Sequence, residues 1–491
     1  MISLLYLSKV NDDIPHARYM PVTASRRHRA AVEFRGRIVY APSMLLYVHV
    51  PFCRKKCGYC SFYSLPVSAF ESESPHALSS GLSSFKSVNG ACTSREGERA
   101  DAMPPETSAG RQGFSPGHAQ LRPSLPQQGM PFSEAEAAWY KAVMQEMDAY
   151  APLLRDRTVE SIFFGGGTPS LVDPRYIPGL IERAARDFRL APGLEISMEA
   201  NPDSVSLPAA QAWLKGGVNR VSLGVQSLDD AGLAALGRVH DSSSAIIAFH
   251  ALRKAGFADI GMDLIWGQPG QGIGDLLDTL KTAADMQPEH LSCYGLSVEE
   301  GTPFADACRM GRLHLPDEDA QARMYLEGSA FLRSRGYEHY EISNFSQPGH
   351  ACRHNSGYWM GSEYLGIGPS AVSRLEDIRF TAPADLAAWL AAAGRPKTAP
   401  LGLDSADHEV LDDAMREEEE ILLSLRMARG LDTRGYALRY GREFAAGQAD
   451  LCRSLIENGL AVSGNGRFAL TEKGWLVSND IIARFIAGIL A

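Results

Sequence analysis

Cysteine is scarce in this chain, with eight residues in 491. That density excludes a disulfide-stapled scaffold. Apolar runs are short as well. None approaches the roughly 18–20 residues of a membrane span, so stable membrane insertion is not expected. Positive charge is in deficit: 48 Lys and Arg face 58 Asp and Glu, for a net charge of −10. This argues against a nucleic acid or acidic membrane held by bulk electrostatics. The opening MISLLYLSKVNDD lacks a basic leader, a long apolar stretch and a cleavage site. No secretory signal is expected, and a cytoplasmic location is. What is present is ordinary for a soluble globular chain: 45% hydrophobic and 22% charged residues. Such a length allows two to four domains at roughly 100–200 residues each.

Residues 65–132 stand apart. Ser, Pro and Gly fill 27 of these 68 positions, and no apolar period persists. Such a segment buries too little surface to offset its ordering entropy, and a disordered insert is predicted. Ser133 and Glu136 form a Ser-x-x-Glu capping box that predicts a helix through about Tyr150.

From Leu45 to about Leu296 six short apolar runs (LLYVHV, SIFFGG, EISMEA, RVSLGV, DIGMDLIW, HLSCYGL) alternate with helical stretches at 173–187, 207–216, 229–237, 242–256 and 273–285. Continuous apolar strands alternating with helices predict parallel β/α units. Six units fall short of a closed eight-unit barrel, so an open, partial (β/α)6 barrel of the α/β class is expected. A helix at 317–335 and a strand around 340–342 follow. Residues 400–491 predict helices at 409–428 and 449–458, then a hairpin at Gly464-Asn465-Gly466. That order suggests a winged-helix-like α+β domain. Its 10 basic and 15 acidic residues favour packing or covering a site over binding DNA.

Three of the cysteines crowd together. The first strand runs into Pro51-Phe52-Cys53-Arg54-Lys55-Lys56-Cys57-Gly58-Tyr59-Cys60, with C-x3-C-x2-C spacing. Loops after parallel strands are where ligands bind in α/β folds. Three thiolates suit three irons of a cubane cluster and leave the fourth open. Zinc is the rival. It would need a fourth ligand such as His49 or Cys92, and no second C-x2-C half is present. Free thiols are the third reading.

After the second strand comes Gly165-Gly166-Gly167-Thr168-Pro169-Ser170. Glycines there let the backbone approach a ligand, while a phosphate loop would need a G-x4-G-K-[ST] lysine that is absent. The other reading is a tight turn. Glu199, Gln226, Arg238 and Asp263 sit on or just after successive strands in apolar surroundings. Singly each is as readily a structural hydrogen bond, but four at the strand ends favour a polar ligand.

These residues together resemble the radical S-adenosylmethionine (SAM) superfamily. Its members chelate SAM on the open iron of a [4Fe-4S] cluster and cleave it to methionine and a 5′-deoxyadenosyl radical. From about Met44 to the C-terminus the chain is similar to the group of oxygen-independent coproporphyrinogen III dehydrogenase and the haem chaperone HemW family. The resemblance implies that Cys53, Cys57 and Cys60 hold the cluster. It implies that Gly166, Gly167 and Thr168 meet the methionyl amino group, and that Arg238 holds the carboxylate. Glu199, Gln226 and Asp263 then surround the ribose and methionine moieties. Tyr47 and Tyr59 match positions beside the cofactor, or are simple core aromatics. A one-electron reductant such as flavodoxin or ferredoxin is implied as a partner.

Two features separate dehydrogenase from chaperone. The dehydrogenase has a further cysteine two positions after the third ligand, where this chain has Phe62. The HemW group carries H-N-x-x-Y-W, found here as His354-Asn355-Ser356-Gly357-Tyr358-Trp359. The motif implies an exposed loop with His354 as a haem ligand and Cys352 as a lesser candidate; the alternative is internal packing. The expected function is a haem chaperone that serves haem-requiring proteins such as respiratory enzymes. The alternative is oxygen-independent coproporphyrinogen III oxidase, a radical decarboxylation in porphyrin biosynthesis. The expected domains are a barrel at 44–375 containing the insert, and a C-terminal unit at 376–491. Residues 1–43 hold seven basic and three acidic residues without periodicity. They are expected to lie outside the functional protein, since Met44 opens MLLYVHVPFC where the HemW group typically begins. The rival is a cap whose Arg26, Arg27 and Arg29 grip propionates.

Overall fold

The six apolar runs form six neighbouring parallel strands. In chain order these are β1 (Ser43–Val50), β2 (Thr158–Gly166), β3 (Arg189–Ala200), β4 (Arg220–Gln226), β5 (Asp259–Trp266) and β6 (His290–Gly295). The structure is a computed structural model, and it describes residues 43–70, 130–398, 401–402, 405 and 407–490. Beyond β6 the sheet adds two antiparallel strands, with β8 (Asn344–Ser346) next to β6 and β7 (Glu338–Glu341) outermost. On the other side β9 (Glu363–Ile367) pairs parallel with β1. Antiparallel β10 (Val372–Leu375), β11 (Ile378–Thr381) and β12 (Asp407–Val410) then finish that edge. Among the described residues this sheet has twelve strands, and its outer strands β12 and β7 do not pair, so the barrel is open.

Alternation along β1 sets up the interior. Successive side chains of a strand point to opposite faces. Leu46, Val48 and Val50 join the main hydrophobic core, whereas Tyr47 and His49 face ring partners inside the barrel. Both sets are buried, which explains the unbroken apolar reading of this run.

The helices start where short polar side chains cap them. Ser206, Asp229, Asp241 and Asp317 accept bonds from Ala209, Gly232, Ser244 and Ala320 N–H groups. The predicted box at Ser133 does not form. The helix Phe132–Tyr150 begins one residue earlier, with Pro131 at its N-cap. Phe132 packs edge-on against Phe52 at 5.3 Å and lies 6.1 Å from Phe70, which draws the helix start onto the cysteine loop. Glu136 instead accepts the Asp173 N–H at 3.1 Å.

Two predicted boundaries move. The insert was expected from residue 65, but Leu65 pairs with Phe52 and is buried together with Phe70. The stretch 71–129 lies outside the described residues, as do 1–42. The division at 375/376 would cut the β10–β11 hairpin, and β12 extends the barrel sheet to Val410. The C-terminal unit therefore begins with helix Asp413–Ser424. It continues as strand Leu431–Asp432, helices Thr433–Tyr440 and Ala449–Glu457, and strands Ala461–Gly464 and Arg467–Leu470. This is the winged-helix order. Asn465 (φ 52°) and Gly466 (φ 75°) make the two-residue turn between the last two strands.

The unit is tied to the β7 edge. Glu341 bridges Met427, the Ile342 N–H donates to the Arg426 carbonyl at 2.9 Å, and Glu472 accepts from Arg333 at 3.0 Å. Among the described residues no helix is long and apolar enough to cross a membrane.

Candidate cofactor site

The loop after β1 lies at the barrel mouth. Its backbone is pinned from two sides. The Gly167 and Thr168 N–H groups donate to the Val50 and Phe52 carbonyls at 2.7 Å each, and the Phe304 N–H donates to the Gly58 carbonyl at 3.1 Å. Thr168 Oγ1 donates to Cys53 Sγ at 3.5 Å, and Arg238 Nη1 to Cys57 Sγ at 3.4 Å. Donors aimed at sulfur favour the thiolate form. Burial outweighs that help: it leaves Cys53 raised despite the Thr168 donor, and raises Cys60 to about 11. Among the described residues no three His, Cys, Asp or Glu side chains are placed to hold a metal ion. Three thiols on one loop suit a cubane cluster, which takes one thiolate per iron, whereas zinc would call for a fourth ligand. His49 is withdrawn as a zinc ligand. Its Nδ1 bonds the Tyr47 hydroxyl (3.1 Å) and its Nε2 the Tyr63 carbonyl (3.0 Å), and burial lowers its pKa to about 4. Cys92 lies outside the described residues.

The glycines at the end of β2 are required by the protein's own packing. A β-carbon on Gly167 would sit 2.5 Å from the Phe52 carbonyl oxygen. One on Gly166, whose φ is +110°, would meet the His49 ring at 2.5 Å. The protein's own β1 and cysteine loop already demand glycine here. The close approach clamps the cysteine loop to β2. The Gly166 N–H donates to Glu199 Oε2 at 3.0 Å.

A cavity of about 370 Å³ opens above this clamp. Cys53, Cys57, Cys60, Tyr59, Gly166, Gly167, Thr168, Glu199, Gln226, Arg238 and Asp263 all line it, so the structure brings together every residue expected from the sequence except Tyr47 and His354. Gln226 adopts φ 65° at a break in the β4–β5 register, a strained backbone of the kind found at ligand sites. Asp263 accepts from Ser222 Oγ at 2.9 Å, and burial raises its pKa. Burial, with Asp263 adding, lifts Glu199 to about 7. Arg238 Nη2 donates to Asn201 Oδ1 (2.8 Å) and the Gly224 carbonyl (3.2 Å), but its Nε–H is buried without a partner. An unpaired buried donor is costly, so this group fits an anionic ligand atom.

Tyr47 and His354 lie one layer deeper. They line a second, polar chamber of about 60 Å³ that shares Glu199, Ser222, Asp263 and Tyr294 with the main cavity. Tyr47 is 4% exposed, bonds His49 and lines the deeper chamber rather than the main cavity. The H-N-x-x-Y-W segment is a buried helix, Arg353–Trp359, and not the expected exposed loop. Glu195 accepts the Arg353 and His354 N–H groups at 2.8 and 3.1 Å, fixing the helix start. The His354 ring stacks on Phe163 at 5.0 Å. Its Nδ1 bonds Ser161 Oγ (2.8 Å) and its Nε2 the Tyr358 hydroxyl (3.2 Å). The chamber has room for a few waters, not a macrocycle. His354 is thus an interior packing residue here and is not presented for haem ligation. Cys352 is buried against Glu195 and is not presented either.

Asn201 went unread in the sequence. It donates to Thr168 Oγ1 at 3.1 Å and accepts from Arg238, bridging two sulfur-facing donors. Its position two residues after Glu199 at a strand end was the available signal.

Comparison with known proteins follows the same architecture. Residues 129–283 match the model of the radical SAM superfamily, and residues 411–477 that of the HemN C-terminal domain. The chain is 32% identical over 350 residues to the "Heme chaperone HemW" of Bacillus subtilis, covering 71% of this chain and 91% of that protein. It is 31% identical over 449 residues to the "Heme chaperone HemW" of Mycobacterium tuberculosis, covering 90% and 94%. The solved coproporphyrinogen III oxidase (HemN) of Escherichia coli, described as a radical SAM enzyme, superposes with a TM-score of 0.66 at 21% identity. That match covers 91% of this chain and 90% of that one, and at this identity it speaks for the fold.

Proposed function

This chain belongs to the family of the haem chaperone HemW, and from that premise we propose that it binds haem and delivers it to haem-requiring proteins such as respiratory enzymes. We further infer that its barrel cavity holds a SAM-chelating [4Fe-4S] cluster on Cys53, Cys57 and Cys60. The observation that carries the cavity reading is the unpaired, buried Arg238 Nε–H beside three thiols, two of which, Cys53 and Cys57, already have aimed donors.

When bound, the cluster supplies single-electron chemistry toward SAM. The protein's part is placement. Arg238 offers a donor to the SAM carboxylate, and Glu199 and Asp263 offer acceptors to cationic and hydroxyl groups. The Gly166–Thr168 clamp holds the cysteine loop against β2 while the cluster is loaded. A cytoplasmic site of action and a flavodoxin- or ferredoxin-like reductant complete this reading.

One position separates the chaperone from the oxidase reading. Phe62 lines the cavity where the coproporphyrinogen dehydrogenases carry a further cysteine. The test is anaerobic incubation of the reconstituted protein with SAM, reductant and coproporphyrinogen III, beside a haem titration. Saturable haem uptake without decarboxylation is expected. Formation of protoporphyrinogen would select the oxidase instead.

A further inference from the structure

We propose that Asn479, a residue of the C-terminal unit, is a ligand-binding residue of the barrel cavity, and that Arg426 is its positioning residue. The inference rests on the reading of this cavity as a cofactor site. Asn479 stands at the start of helix Ser478–Leu490 and opens onto the roughly 370 Å³ cavity that also holds the three cysteines. Among the described residues it is the one contribution of the C-terminal unit to that lining.

Its orientation is dictated by chemistry. Arg426 is 1% exposed, and its Nη2 lies 2.9 Å from Asn479 Oδ1. A guanidinium can only donate, so the carboxamide oxygen must face Arg426. The amide NH2 is thereby directed away from Arg426 with two donors to offer. Arg426 itself is held in place. Its carbonyl accepts from Ile342 at 2.9 Å, and the preceding Leu425 carbonyl accepts from Trp475 Nε1 at 2.9 Å. The Ile342 bond sets the height of the C-terminal unit against the β7 edge, and the Trp475 bond fixes the Arg426 turn within that unit, so together they set where Asn479 meets the cavity.

A fixed donor at this wall calls for a hydrogen-bond acceptor on the bound molecule. Two sources share that chemistry: a ring nitrogen of the SAM adenine and a carboxylate of a porphyrin. The competing explanation is that Asn479 merely tethers the helix to Arg426.

The substitution Asn479→Asp separates them. It keeps an oxygen for Arg426, so the tether survives, but it replaces the NH2 donors with an acceptor. The full chain with its cluster reconstituted is titrated with SAM by calorimetry and with haem by absorbance. We expect one affinity to fall tenfold or more at an unchanged melting temperature, and the ligand affected identifies the acceptor. Arg426→Met should weaken the same ligand, and Arg426→Lys should restore part of the loss. Both affinities of Asn479→Asp staying within twofold of the parent protein would overturn the proposal. Failure of the parent protein to bind either ligand would instead remove the cofactor reading itself, before any variant is compared.

Discussion

Glu199 illustrates what a single residue can report. Its carboxyl, lifted to about 7 chiefly by burial, is protonated below neutrality and ionised above it. SAM carries cationic groups, so it should prefer the ionised form. Its affinity is expected to rise about tenfold between pH 6 and pH 8 as the proton leaves. Glu199→Gln should flatten that rise, and calorimetric titration at several pH values checks it; a profile unchanged in Glu199→Gln would exclude this carboxyl. His354 makes the opposite kind of statement. Both ring nitrogens are engaged inside the barrel, so His354→Ala strands the Ser161 and Tyr358 hydroxyls. It should cost about 1–3 kcal/mol of stability by chemical denaturation. Haem uptake by the folded protein should stay unchanged, and its loss would restore His354 as a ligand. The motif pointed to His354 as a haem ligand on an exposed loop, whereas the structure places it on a largely buried helix. The burial of that helix could not be read from the motif, because a short run of His, Asn, Gly and aromatics suits a loop and a packed helix equally.

At the scale of elements the decisive contact is β1 against the end of β2. The glycine run was legible as a close approach, but the partner was assigned to a ligand. Within the protein, Gly167 closes on the backbone of residues 50–52 and Gly166 on the His49 ring. Gly167→Ala should therefore act as an overpacking change, destabilising by about 1–3 kcal/mol. Because the clamp carries the cysteine loop, cluster absorbance after anaerobic reconstitution should fall as well, while a control such as Gly274→Ala, at an exposed position with open space around it, should retain the cluster. Helix and strand existence was legible through the six β/α units from Leu45 to Leu296, because continuous apolar runs alternated there with helical stretches. The start of helix Phe132–Tyr150 was not, because the packing of Phe132 on Phe52 outweighs a Ser-x-x-Glu cap.

At the scale of the molecule, Glu146 joins distant segments. Buried on helix Phe132–Tyr150, it accepts from the Gly368 N–H at 3.1 Å and from Trp389 Nε1 at 2.9 Å. Burial raises its pKa to about 7. A raised folded-state value means that its contribution is fully present below the unfolded value near 4.5 and lost as pH climbs through about 7. The shift corresponds to a loss on the order of 3 kcal/mol between those limits. Glu146→Gln keeps a carbonyl acceptor and should remove this slope, making the variant relatively more stable at pH 8.5 than at pH 5.5 in thermal melts. An identical slope in both proteins would place the pH dependence elsewhere.

Read alone, the sequence determined the six parallel strands, the grouping of three cysteines on the loop after the first strand and the polar residues at strand ends, together with the winged hairpin. Each is a local pattern, written in neighbouring residues by period, spacing or turn chemistry. Tertiary structure alone decided that β9 lies parallel to β1, that the barrel sheet runs on to Val410, that His354 turns inward and that Asn479 reaches the cofactor cavity. Those outcomes depend on contacts between residues far apart in the chain. The free energy of such contacts comes from shared burial and from hydrogen bonds whose two partners no local pattern pairs.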